Sequence, residues 1–105
     1  MTLSTHVLDA TTGRPAEGVH VTLESRDGEG WQPVAEGNTD VDGRIRELGG
    51  PGAGVHRIRF DTGSYFGRDT FYPEVDVVFE IVDAAAHHHV PLLLSPYAYS
   101  TYRGS

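Results

Sequence analysis

The sequence predicts an all-β protein, a sandwich or barrel of antiparallel sheets. Short runs rich in β-branched and aromatic residues recur roughly a dozen residues apart, and apolar and polar side chains alternate in several of them. The 13 Gly and six Pro of the chain predict turns between these runs, because both residues favour turns. The 105 residues suffice for one core and are too few for two. We therefore expect residues 1–105 to form a single domain.

The first half of the chain contains four predicted strands separated by turns. The second of them alternates apolar with polar side chains, which predicts one buried face. Before the fourth, the dipeptide Asp42-Gly43 predicts a tight turn, because glycine adopts the positive φ that such a turn requires. The predicted strands are 4–10, 19–25, 31–39 and a short run that begins at Arg44.

The second half contains four more predicted strands and a candidate helix. The window 63–74 fits a short helix, and the strand after it again alternates apolar with mostly polar side chains. Proline at position 91 indicates an edge strand or a bulge in the strand that contains it. The predicted strands are 55–62, 75–83, 87–95 and 97–103.

Composition narrows the class of protein. The formal net charge of −7 disfavours nucleic acid and anionic membranes as partners. The absence of cysteine excludes disulfides and thiolate metal sites, and it fits a reducing compartment. The N-terminus shows no basic region followed by an apolar run, and no apolar stretch approaches the roughly 20 residues of a spanning helix. We expect a small, acidic, soluble, cytoplasmic protein.

Histidines at two places in the sequence are candidate functional residues. In an alternating first strand, His6 shares a face with Ser4. In the run His87-His88-His89, the first and third imidazoles share a face and the second points away. Each of these histidines is also explained by a half-buried side chain bonded to a neighbour, or by a solvated strand start. Two chemical alternatives stay open: a zinc site formed by His87 and His89 with His6 as third ligand, or one imidazole acting as a general base.

Cationic and aromatic residues outside the histidine runs are further candidates. Arg44 directly follows the glycine of the predicted turn. It is either a solvated residue at a rim or a fixed set of donors for a carbonyl oxygen or an oxyanion. The chain ends with Tyr102, Arg103 and a carboxylate on Ser105, an unusual concentration of contact-forming groups for a terminus. By themselves these terminal residues indicate no mechanism.

Three segments together give the sequence a resemblance to a known family. The segments 4–16 (STHVLDATTGRPA), 39–44 (TDVDGR) and 87–105 (HHHVPLLLSPYAYSTYRGS) resemble, in this order, motifs of the 5-hydroxyisourate hydrolases, the transthyretin-related proteins of purine breakdown. The resemblance covers nearly the whole chain. It implies a transthyretin-like sandwich of two antiparallel four-stranded sheets with one short helix. It also implies a homotetramer, a dimer of dimers, in which the closing strand lines a channel where subunits meet.

Transthyretin, a hormone carrier, shares parts of these motifs, so the fold alone does not separate carrier from enzyme. The hydrolase pattern has His in the first strand, Arg after the glycine of the second motif, His before the valine of the closing motif, and a terminal Tyr-Arg-Gly-Ser. This sequence has His6, Arg44, His89 and residues 102–105 at those positions, and transthyretin lacks the corresponding groups. The resemblance therefore implies the enzyme. The family commonly has His-Tyr-His where this chain has three histidines, and since the middle one points away from His89, we expect activity to survive.

The resemblance implies hydrolysis of 5-hydroxyisourate to 2-oxo-4-hydroxy-4-carboxy-5-ureidoimidazoline in urate degradation, with no cofactor and no metal. We expect His6 and His89 to activate water, with the base and the acid of the pair left unassigned. Arg44 is expected to stabilise the oxyanion, and the Ser105 carboxylate to orient a histidine. Alternatives are a transthyretin-like carrier without turnover and a zinc-dependent cyclic amide hydrolase. The residues expected to bind the substrate are His6, Arg44, Tyr102 and Arg103.

Overall fold

The computed structural model describes residues 2–67 and 69–104. Within these two ranges the chain forms nine strands and one five-residue helix, and no helix there is long and apolar enough to cross a membrane. The elements are β1 (Leu3–Asp9), β2 (Arg14–Pro15), β3 (His20–Asp27), β4 (Gly30–Asn38), β5 (Arg44–Ile45), β6 (Gly54–Phe60), α1 (Thr62–Phe66), β7 (Val75–Ile81), β8 (His88–Ser95) and β9 (Ala98–Thr101).

The strands form two sheets, which confirms the predicted all-β sandwich. The β3 sheet has the order β4-β3-β6-β7, and every pairing in it is antiparallel. The β1 sheet has the order β2-β1-β8-β9, and β5 also pairs with β1. In the described part of the chain, this sheet has five strands and not the expected four. The short strands β2 and β5, of two residues each, both pair with β1 but with different parts of it. The β1–β8 pairing is parallel, which the sequence pattern did not predict.

The core lies between the inner faces of the two sheets. Alternation along the strands positions it: in β3, Val21 and Leu23 are fully buried, and in β6 the same holds for Ile58 and Phe60. Each such side chain contributes on the order of 1.5–3 kcal/mol when it is removed from water. The buried cluster consists of Leu3, Val7, Ala16, Val19, Val21, Leu23, Leu48, Ile58, Phe60, Val75, Val90, Leu92 and Leu94.

Helix α1 begins one residue before the window predicted for it. Its start is capped by Asp61, whose carboxylate accepts hydrogen bonds from the backbone N–H and the hydroxyl of Ser64. It ends at Phe66 and is followed by Gly67, which has a φ of 73°. The hydroxyl of Tyr65 donates to the Asp9 carboxylate at 2.8 Å, and burial with this bond raises the pKa of Tyr65 to about 12. The helix is thereby attached to the end of β1.

Candidate active site

Strand β1 presents Ser4 and His6 on the outer face of its sheet. Thr5 and Val7 are fully buried, and the Thr5 hydroxyl donates to the carbonyl oxygen of Val90 at 2.7 Å. Because successive side chains of a strand point to opposite faces, Ser4 and His6 lie on the other face. The alternation predicted for this strand is therefore observed.

A tight turn places Arg44 beside that face. The Asp40 carboxylate accepts hydrogen bonds from the backbone N–H groups of Asp42 and Arg44, both at 2.9 Å, and the bond from Arg44 lowers the pKa of Asp40. Gly43 has a φ of 72°, and a Cβ there would overlap the carbonyl oxygen of Val7. The Val7 N–H in turn donates to the Gly43 carbonyl oxygen at 2.7 Å. A residue with a side chain does not fit here, so the turn packs directly on β1.

Register then brings Arg44 next to His6. In the antiparallel β1–β5 pair these two residues are direct partners, and such partners point their side chains to the same face, with Cβ atoms about 4.5–5.5 Å apart. The guanidinium of Arg44 has no hydrogen bond or ion pair with any residue of 2–67 or 69–104. It is therefore available to a ligand.

Strand β8 brings two of the three neighbouring histidines to the same face. His89 is the register partner of Ser4 in the parallel β1–β8 pair. His88 points the other way: it is buried, and its Nδ1 donates to the carbonyl oxygen of Ala86 at 3.0 Å. The prediction that the middle histidine faces away from His89 is confirmed.

Hydroxyl groups link the outer two histidines. The Ser4 hydroxyl lies 2.7 Å from Nδ1 of His89 and 2.9 Å from Nε2 of His87. The Thr2 hydroxyl lies 2.7 Å from Nδ1 of His87. The result is a continuous hydrogen-bonded chain, Thr2–His87–Ser4–His89, which we call the hydroxyl–imidazole chain. Ser4 is 8% exposed, whereas His87 is at the surface.

These side chains surround a pocket of about 240 Å³. Its walls are polar and carry two guanidinium groups, of which Arg46 lies 3.9 Å from the Asp42 carboxylate. His6 borders this pocket as the partner of Arg44 without lining it. A polar, cationic cavity of this kind suits a small planar molecule with carbonyl groups or a negative charge. The lining residues are Ser4, Thr5, Arg44, Arg46, His87 and His89.

The environment of His89 disfavours its protonated form. Burial of the imidazole is the largest cause, and the positive charges of Arg44, His6 and His87 add to it, so that the pKa of His89 lies below the ordinary 6.5. A hydrogen bond to the backbone of Ser4 acts in the opposite direction. A histidine whose neutral form is favoured in this way is suited to accept a proton.

We expect this shift to appear in a titration of the folded protein. By NMR, the His89 ring should titrate below pH 6.5, whereas in the protein unfolded in urea it should titrate near 6.5. Since the folded-state pKa is the lower one, the stability that His89 contributes is complete above pH 6.5 and is lost as the pH falls through the folded-state pKa. A folded-state pKa at or above the unfolded value would contradict this prediction.

The end of the chain packs against His89. The backbone N–H of Gly104 donates to the carbonyl oxygen of His89 at 2.9 Å, and the two residues form an isolated β-bridge. A Cβ at Gly104 would overlap the imidazole ring. Glycine at this position therefore lets the backbone lie directly on the ring, which restricts how the ring can turn.

The other terminal residues occupy a different place from Arg44. Tyr102 and Arg103 line a second cavity of about 140 Å³, together with Phe79 of β7 and His89. Both are exposed in the single chain. Ser105, which we expected to be catalytic, lies outside the described residues. The structure thus gathers His6, Arg44 and His89, whereas Tyr102 and Arg103 line a different cavity, which shares His89 with the first.

Metal-ligating geometry is absent from the part of the chain that the structure describes. Residues 2–67 and 69–104 contain no group of three or more His, Cys, Asp or Glu side chains arranged to hold a metal ion. Both ring nitrogens of His87, and Nδ1 of His89, are hydrogen-bonded to hydroxyl groups instead.

The sequence patterns assigned no role to Ser4, Thr5, Arg46 or Gly104. Ser4 shares the face of His6 by simple alternation, so the strand pattern contained the signal that could have identified it. Gly104 belongs to the closing motif 102–105, but only the folded chain shows that its backbone lies on an imidazole.

Two comparisons with known sequences agree with each other. The family model described as Transthyretin, the HIUase/Transthyretin family, matches residues 3–104. A curated 5-hydroxyisourate hydrolase of Salmonella dublin is 51% identical to this chain, and the match covers 98% of this chain and 80% of the relative.

Solved structures show the same backbone in an enzyme and in a carrier. The 5-hydroxyisourate hydrolase of Klebsiella pneumoniae has a TM-score of 0.86 at 40% identity, and 99% of this chain and 93% of the hydrolase are covered. Sea bream transthyretin in complex with thyroxine has a TM-score of 0.91 at 34% identity, with coverage of 99% and 95%. The backbone is more similar to this transthyretin and the sequence to this hydrolase, so the side chains of the site have to decide the function.

Proposed function

This chain belongs to the HIUase/Transthyretin family, and we propose that within it the chain is a hydrolase that opens the ring of 5-hydroxyisourate with water. The observation that carries the proposal is the polar pocket lined by both Arg44 and His89, with His6 at its border. Hydrolysis of a cyclic amide requires an activated water, donors for the oxyanion and a proton for the leaving nitrogen. This chain has the imidazoles of His6 and His89 and the guanidinium of Arg44 for these tasks. A carrier only binds its ligand and needs no such groups.

The imidazoles of His6 and His89 handle the protons in this mechanism. A neutral imidazole takes a proton from water as the oxygen attacks the acyl carbon, and its neighbour orients the water or donates to the leaving nitrogen. The lowered pKa of His89 supports a neutral ring at physiological pH. Because the two groups are close, their protons come off as a coupled pair.

Arg44 stabilises the charge that develops on the substrate oxygen. Its planar guanidinium offers paired donors to a carbonyl oxygen or to an anionic ring edge. The turn at Gly43 and the pairing with His6 hold the backbone of Arg44 in place before substrate arrives, and donors fixed in advance need little reorganisation during the reaction.

The terminal residues complete the site from the other side of His89. We assign Tyr102 and Arg103 to substrate binding, and the Ser105 carboxylate to accepting a hydrogen bond that sets the tautomer of a histidine. The contact between Gly104 and the His89 ring supports a working role for this terminus. Cofactors have no part in this mechanism, and we place the reaction in the cytoplasm.

We propose that the enzyme is a homotetramer, a dimer of dimers with its sites at subunit interfaces. Strands β7 and β9 lie at the edges of their sheets and border one cavity, so both sheets end on the same side of the sandwich. Edge strands accept further strands, and the side chains of Val78, Val82, Tyr99 and Tyr102 are 53%, 80%, 42% and 57% exposed there. A second copy would continue both sheets and cover these side chains.

The test of the function is the decay of 5-hydroxyisourate. Freshly generated substrate should lose its ultraviolet absorbance several-fold faster with the protein than spontaneously. A His89→Asn variant purified in the same way controls for a contaminating hydrolase and should leave the spontaneous rate unchanged. A wild-type protein that does not exceed the spontaneous rate would reject the proposed activity.

Two arms of the same experiment address the alternatives. A carrier would bind aromatic ligands tightly without accelerating the decay. A zinc hydrolase built on His6, His87 and His89 would lose its activity on exhaustive chelation, and we expect full activity to persist.

A further inference from the structure

We propose that the hydroxyl–imidazole chain Thr2–His87–Ser4–His89 is a proton relay that connects His89 in the pocket with solvent at His87; this proposal rests on the proposed function, because it deepens the role of His89 in that reaction.

The geometry of the chain is continuous from the pocket to the surface. Its three links measure 2.7, 2.9 and 2.7 Å, all within the range of good hydrogen bonds. Among the described residues, Nε2 of His89 has no hydrogen-bond partner, and the ring lines the pocket. The central hydroxyl of Ser4 is shielded from water, whereas His87 is exposed. A proton can therefore leave the pocket without passing through the substrate.

The hydrogen bonds of the hydroxyl–imidazole chain can all point in one direction or all in the other. A hydroxyl both donates and accepts, and a neutral imidazole has one donor and one acceptor nitrogen. In the first direction, His89 Nδ1–H donates to Ser4, Ser4 donates to Nε2 of His87, and His87 Nδ1–H donates to Thr2. Nε2 of His89 then carries a lone pair and is a base. In the second direction every bond is reversed, and Nε2 of His89 carries a proton and is an acid.

Each half of the hydrolysis uses one direction. During attack, the water oxygen bonds to the acyl carbon, and its proton goes to Nε2 of His89. The Nδ1 proton of His89 moves to Ser4, the Ser4 proton moves to Nε2 of His87, and the Nδ1 proton of His87 leaves through Thr2 to solvent. When the C–N bond breaks, the Nε2 proton of His89 goes to the leaving nitrogen, and a proton from solvent refills the chain. One proton is released and one is taken up, so the net reaction adds only water.

The charges around His89 explain why a relay is useful. On the side of the pocket, the charged and titratable groups near His89 are Arg44, Arg46, His6 and His87. The second cavity adds Glu80, His88, Tyr102 and Arg103. A second positive charge held on His89 next to Arg44 is unfavourable. Passing a proton to the surface as another arrives avoids that state. His6 then orients the water, while His89 serves in turn as base and acid.

The decisive variant is His87→Gln. A glutamine amide can keep hydrogen bonds to both hydroxyls, but it does not transfer protons near neutral pH. We expect kcat to fall about tenfold or more in dilute, non-imidazole buffer, with KM little changed. In His87→Ala, which leaves the space of the ring open at the surface, added imidazole should restore most of the lost rate, because a free imidazole can take the place of His87. A matched control is His20→Gln, which alters a histidine hydrogen-bonded to Asn38 on the β3 sheet and should change neither kcat nor its response to imidazole.

A second pair of variants tests the buried link. Ser4→Ala interrupts the chain where buffer cannot reach, so its loss of kcat should not respond to imidazole. Ser4→Thr keeps the hydroxyl and should retain most of the rate. If Ser4→Ala does not fold, the His87 experiment decides alone.

The outcomes separate the relay from the function. Active wild-type enzyme with an unchanged His87→Gln rate, or with a loss in His87→Ala that imidazole does not restore, would overturn the relay and leave the hydrolase intact. An unchanged Ser4→Ala rate would do the same. A wild-type protein without turnover would overturn both.

Discussion

Removal of residues 102–105 is expected to reduce turnover of 5-hydroxyisourate to the spontaneous rate while the fold is kept. The chain would then end at Thr101, the last residue of β9, so the pairing of β9 with β8 is preserved, and the buried cluster lies entirely within residues 3–94. The deletion removes Gly104 from the His89 ring, and it removes Tyr102, Arg103 and the terminal carboxylate. Substrate decay measures the activity, circular dichroism the fold, and sedimentation velocity the expected assembly of four chains.

The substitution Gly104→Ala tests the contact of the terminus with His89 by a smaller change, the addition of one methyl group. Gly104→Ala leaves the length and charge of the chain unchanged, but the added Cβ overlaps the His89 imidazole and has to displace it. Misplacement of a proton-transferring ring by about 1 Å can cost roughly 100-fold in rate. Gly30→Ala is the matched control, since a Cβ there meets only an ordinary contact with the Asp27 carbonyl oxygen at 3.8 Å. Full activity in the truncated protein and in Gly104→Ala would remove the terminus from the mechanism.

Arg44→Lys is expected to lower kcat/KM well above tenfold, which corresponds to more than about 1.4 kcal/mol of transition-state stabilisation. Lysine keeps the positive charge in the pocket but loses the planar pair of donors. Because the Arg44 guanidinium has no partner among the described residues, the substitution breaks no hydrogen bond or ion pair of the folded chain there. The loss should therefore appear in steady-state kinetics and not in the free energy of unfolding.

A control for this substitution is Arg14→Lys in β2, where the arginine is exposed and away from the pocket. Its kcat/KM and urea midpoint should match the wild-type values. If Arg44→Lys also kept wild-type kinetics, the charge alone would be sufficient and the paired donors would have no role.

Local patterns were enough to predict most of the fold. Alternation in β3, β6 and β7 predicted which side chains face the core, since a strand with one wet face must place its apolar residues on the other. The dipeptide Asp42-Gly43 predicted a positive-φ turn, and Gly43 has that conformation. The short run predicted to begin at Arg44 is observed as β5, whereas the parallel β1–β8 pairing and the short strand β2 were missed. A two-residue strand is too short to show a period, and the direction of pairing between strands far apart in sequence leaves no local pattern.

The sequence by itself determined the alternating strands, the turn glycine, the family motifs and the identity of the chemical groups, because each depends on neighbouring residues. Only the tertiary structure decided which groups meet. Register places Arg44 opposite His6 and Ser4 opposite His89, and these contacts join residues about 40 and 85 positions apart along the chain. The hydroxyl–imidazole chain and the Gly104 contact arise in the same way. They depend on distances below 3 Å across strands, which backbone pairing sets and which no short stretch of sequence specifies.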